Sequence, residues 1–103
     1  MSFVSATPES VTAAANNLAQ IGSTLSEANE AAAAPTTASL AAAADGVSAV
    51  AAAAFNAHAQ GYQQFGAQLA ALHDQFVQAL SGTATSYAAT EASNVSAVRD
   101  LLA

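Results

Sequence analysis

Large apolar side chains recur at helical spacing along this chain, and polar residues fall between them. Val11, Leu18, Leu25 and Ala32 are spaced by seven, and Ala14, Ile21 and Ala28 repeat the interval with an offset of three. Two such rows define the packing seam of an α-helix. Asn16, Asn17, Gln20, Thr24 and Glu27 lie mostly away from it. A second segment carries a stronger version: Phe55, Tyr62, Leu69 and Phe76 in one row, His58, Phe65, Leu72 and Ala79 in the other. Val47, Val50 and Leu80 widen that stripe.

Start and stop signals bracket both patterns. Thr7 is placed to N-cap, Pro8 suits the first helical position, and Glu9 faces the positive end of the helix dipole. The first helix is expected from about residue 8 to 34, ending at Pro35-Thr36-Thr37. The second is expected over about 41–81, starting between Leu40 and Gly46, with Gly82 as its C-cap. Gly61 and Gly66 interrupt it, marking either looseness or close approach of a neighbouring helix. The organisation is thus an arm over 1–7, a hairpin over 8–82 and a tail over 83–103. In the tail, Val95, Val98, Leu101 and Leu102 form a weak amphipathic turn or two. Ending at LLA, in mid-pattern, suggests a natural protein that continues further.

The fold class is therefore all-α, an antiparallel two-helix hairpin. Two helices cannot cover both flanks of each other's seams, so a partner is expected to complete a four-helix-type bundle. Val11, Leu18, Ile21, Leu25, Phe55, His58, Tyr62, Phe65, Leu69, Leu72 and Phe76 are the residues from which the seam and that interface must be drawn. A structural homo-oligomer, the hairpin pairing with itself, is the alternative.

Composition narrows the function. Alanine makes up about a third of the 103 residues, favouring helix while supplying little core. Net charge is -6 and Arg99 is the single basic side chain, which argues against nucleic acid and anionic membrane. Leu40 to Phe55 is apolar but alanine-rich and interrupted by Asp45, so no membrane span is expected. The N-terminus lacks the charged and leucine-rich regions of a secretory leader. Cysteine is absent, excluding disulfides and thiolate metal sites. His58 and His73 have no second ligand one turn away, and no nucleophile motif or phosphate loop is present. No metal, cofactor or catalytic residue is expected, and His58 reads as a polar residue inside a helix interface.

Tyr87 and Glu91, four apart, share a face if their segment is helical. Spacing alone makes them a surface tyrosine and a solubilising acid. Taken in order, however, MSFV followed by Pro8-Glu9, an alanine-rich hairpin, and Tyr87-Ala88-Ala89-Thr90-Glu91 resemble the PE family of mycobacterial proteins. The resemblance spans essentially the whole chain. It implies a non-enzymatic domain that forms a heterodimer with a PPE-family protein and leaves the cell folded, by type VII secretion, after assembly in the cytosol. It further implies that Tyr87 and Glu91 match the general signal Y-x-x-x-[D/E], and that a system-specific chaperone binds the PPE partner. The expected destination is the cell surface or the medium. Family members often carry further domains, so the chain reads as a short member or the first domain of a longer one, where an envelope enzyme could reside.

Overall fold

The computed structural model describes residues 7–38, 41 and 45–103. The N-terminal arm, except Thr7, and part of the inter-helix connection, including Leu40, lie outside the described residues. Two helices account for nearly everything else: α1, Pro8–Thr37, and α2, Gly46–Leu102. Among the described residues there is no strand.

Local chemistry sets the helix starts. The Thr7 carbonyl accepts from the amides of Ser10 and Val11 at 3.0 and 3.2 Å, opening α1 with Pro8 as its first residue. Asp45 opens α2. Its Oδ1 accepts from the Ser48 amide at 2.7 Å, and its carbonyl accepts from Ala49 at 3.1 Å. Arg99 stands in the last turn of α2, where a cation complements the dipole.

Both helices outrun their expected ends. Pro35 does not stop α1, which continues to Thr37. Proline removes one amide and crowds one carbonyl, a penalty that the last turn of a helix tolerates better than its interior. The hydroxyls of Thr36 and Thr37 donate back to the Ala32 and Ala33 carbonyls at 2.5 and 2.6 Å, closing that turn locally. Gly82 likewise is no C-cap. It has no positive φ, and α2 passes through it to Leu102. The Thr83 and Thr85 hydroxyls donate to the Ala79 and Ser81 carbonyls, and Ala84, two residues on, is 3% exposed. Packing at Ala84 holds helical a stretch that glycine propensity alone would end.

Two compact units divide the helices. One combines the start of α1, up to Gln20, with α2 from Asp74 onward; the other comprises Ile21–His73. In the first, Ala15 and Ala84 are buried, and Val11, Leu18, Val77 and Leu80 are partly buried. In the second, Ala59 is buried, and Gly22, Ser26, Asn29, Asn56, Gln63, Gly66, Ala70 and His73 are partly buried. Pairing there is antiparallel, because Gly22 meets His73 while Asn29 meets Tyr62, Gln63 and Gly66.

Among the described residues the buried apolar ones are all alanines: Ala15, Ala59 and Ala84. Each methyl contributes only about 0.8 kcal/mol on burial. Among the described residues no large side chain is fully buried.

Candidate functional site

On α2 the residues that face α1 stand one position after the expected ones. Ala59, Gln63, Gly66, Ala70 and His73 are sheltered residues of α2 in the second unit, following His58, Tyr62, Phe65, Leu69 and Leu72 respectively. One residue is a rotation of about 100° around a helix. The whole row of large side chains is thereby swung out of the seam. Phe55, Tyr62, Phe65, Leu69 and Leu72 are between 49% and 70% exposed, and Ile21 and Leu25 of α1 are exposed beside them. In the first unit, Phe76 is exposed while Val77 after it is partly buried.

The expected seam therefore divides. Val11 and Leu18 are drawn partly into the hairpin. Ile21, Leu25, Phe55, His58, Tyr62, Phe65, Leu69, Leu72 and Phe76 stay outside. Within the second unit the histidine between α1 and α2 is His73, while His58 is exposed. The His73 ring lies against Gly22, where a Cβ would stand 2.6 Å from Cδ2. The two central glycines also separate. Gly66 meets Asn29, whose Nδ2 would be 3.3 Å from a Cβ there, while Gly61 has open space around it.

Asn29 is gripped by two consecutive residues of α2. Tyr62 donates its hydroxyl to Asn29 Oδ1 at 3.2 Å, and Gln63 Nε2 donates to the Asn29 carbonyl at 2.9 Å. Around this polar point the second unit forms a groove of about 380 Å³, with Gly22 and Gly66 among its lining and Leu25, Phe65 and Leu69 as its apolar walls. Among the described residues its lining holds no Asp, Glu, Lys or Arg, and His73 is its one ionisable side chain besides the Tyr62 phenol. Sequence reasoning passed over Gly22, Asn29 and Gln63, and weighed His73 only for metal or catalytic chemistry. The signal lay in a second set of sevens made of small and polar residues: Ala15, Gly22 and Asn29 on α1, and Ala59, Gly66 and His73 on α2.

Tyr87 and Glu91 both lie within α2, so they occupy one face a turn apart, and both are exposed. Pro8 and Glu9 form the first turn of α1. Val95, Val98 and Leu102 make a small apolar patch with Arg99 near the end of α2. Among the described residues no group of three or more His, Cys, Asp or Glu side chains could hold a metal ion. No described helix is long and apolar enough to cross a membrane.

A small-residue seam and an uncovered aromatic flank define an all-helical hairpin domain whose aromatic row, Phe55 to Phe76 on α2, is exposed. Residues 4–94 match the PE family, and the chain belongs to it. A PE-PGRS family protein of Mycobacterium tuberculosis, PE_PGRS46, is 58% identical over 102 residues, covering 99% of this chain and 13% of the relative. PE_PGRS8 of the same organism is 59% identical over 98 residues, covering 95% of this chain and 56% of that protein. The ubiquitin-binding protein Rv1468c, also from that organism, is 59% identical over 101 residues, covering 98% of this chain and 27% of the relative. The chain thus spans between 13% and 56% of the length of these curated relatives.

Proposed function

We propose that this chain is a non-enzymatic pairing module that forms a heterodimer with a PPE-family protein. One observation carries the reading: the hairpin closes on alanine and glycine while Phe55, Tyr62, Phe65, Leu69 and Leu72 remain exposed. Apolar faces of that kind on helices are covered by other helices. Two helices of a PPE-family protein, laid against Ile21, Leu25 and the α2 row, complete a four-helix-type bundle and supply the missing core. PE membership favours a PPE protein as the source of those helices.

In this reading the pair assembles in the cytosol and is exported folded by type VII secretion, to the cell surface or the medium. Tyr87 and Glu91 present the recognition signal on one exposed face, and a system-specific chaperone acts through the PPE partner. Co-expression with PPE-family proteins tests the pairing. A soluble one-to-one complex that forms only with a PPE chain is the expected result. A cooperatively melting homo-oligomer of the chain alone would replace this reading with self-assembly.

A further inference from the structure

The inference rests on the pairing reading above and concerns the polar point within the groove. Asn29 Oδ1 already accepts the Tyr62 hydroxyl. Its Nδ2 lies over Gly66, in room that a side chain at that position would crowd. Both bonds from Tyr62 and Gln63 are accepted by oxygens of Asn29 and neither uses Nδ2, and the Tyr62 oxygen retains acceptor capacity. In the free hairpin water serves Nδ2 and that oxygen. A covering helix removes that water. An amide N–H left unpaired then lowers affinity by about five- to hundredfold.

We propose that Asn29 and Tyr62 select the partner by demanding a hydrogen-bond acceptor at one position of an otherwise apolar helix. That acceptor is neutral, a hydroxyl or a side-chain amide. In this unit the described carboxylates are Glu27, Glu30 and Asp45 and there is no lysine or arginine, so an incoming carboxylate would meet no permanent cation. The device works as a lone polar residue does in a coiled-coil core. It lowers the best attainable affinity and discriminates strongly against helices in the wrong register or with an unbroken aliphatic stripe.

The full chain, as wild type, Tyr62→Phe and Asn29→Leu, is co-expressed with each of a panel of PPE-family proteins, and the affinities are compared. The wild type is expected to separate preferred from rejected partners by about tenfold or more. Asn29→Leu should narrow that spread by about tenfold, weakening the preferred partner and strengthening the others, whereas Tyr62→Phe leaves Asn29 Oδ1 without its donor and should change the ranking toward partners that offer a donor as well as an acceptor. Tyr62→Phe keeps the ring and decides the matter if Asn29→Leu does not fold. An unchanged ranking and spread overturns the selection role and leaves the pairing reading intact. A wild type that binds no PPE-family protein overturns both.

Discussion

His73 sits directly over Gly22: a Cβ built on that glycine would stand 2.6 Å from the ring Cδ2 and 2.8 Å from Nε2. The close approach of α1 and α2 in the second unit depends on hydrogen standing where other residues have a side chain. Alanine at position 22 should gain up to about 1 kcal/mol of helix propensity and lose about 1–3 kcal/mol by overpacking, a net destabilisation. Thermal unfolding followed by circular dichroism reads the balance. The loss should shrink in a His73→Ala background, since removing the ring vacates the space. An equal loss in both backgrounds would show that the ring is not what excludes the methyl.

Gly82 should behave in the opposite way. It lies within α2 with helical φ and nothing within 4 Å of a built Cβ. Gly82→Ala should stabilise the chain by about 0.5–1 kcal/mol, as glycine does when replaced in an open helix interior. Were Gly82 a left-handed C-cap instead, the same change would lower the melting temperature.

The exposed row predicts a separation of stability from pairing. Phe65 is 58% exposed, so Phe65→Ala should alter the unfolding free energy of the isolated chain by no more than about 0.5 kcal/mol. Pairing with a PPE-family protein should weaken by about 2 kcal/mol or more, roughly 30-fold, because a buried aromatic anchor is removed. Equilibrium binding measured beside chemical denaturation distinguishes the two. A variant that destabilises the free chain and pairs normally contradicts the outward assignment.

Tyr87 predicts a different separation. Tyr87→Ala should abolish export of the pair and leave co-purification with the partner unchanged, since the side chain is exposed and follows the last residue of the α2 row, Leu72, by 15 positions in sequence. Fractionating mycobacterial cultures into cell and medium measures the first, and affinity capture the second. Loss of pairing would assign Tyr87 to the bundle.

Much of this architecture is legible in the order of residues. The two helices follow from alanine content and sevenfold spacing, and their starts from Thr7-Pro8 and Asp45, whose chemistry is local. Helix ends were less legible. Pro35 and Gly82 carry breaking signals that threonine hydroxyls and the burial of Ala84 outweigh. The split between Gly61 and Gly66 also needed three dimensions, because a glycine's neighbours are set by the opposing helix.

By itself the sequence determined that the chain is helical, that it carries more large apolar surface than two helices can hide, and that it has one basic side chain with which to meet an acidic partner. Tertiary structure alone decided which of two neighbouring heptad rows turns inward. Hydropathy favours the row with phenylalanines, but α1 and α2 approach over Gly22, Gly66 and alanines, where slender side chains permit contact and Asn29 can be held by Tyr62 and Gln63. One residue of phase, about 100° of rotation, turns the aromatic row from core to surface. That phase is a property of two helices fitted together, and neither helix's pattern contains it.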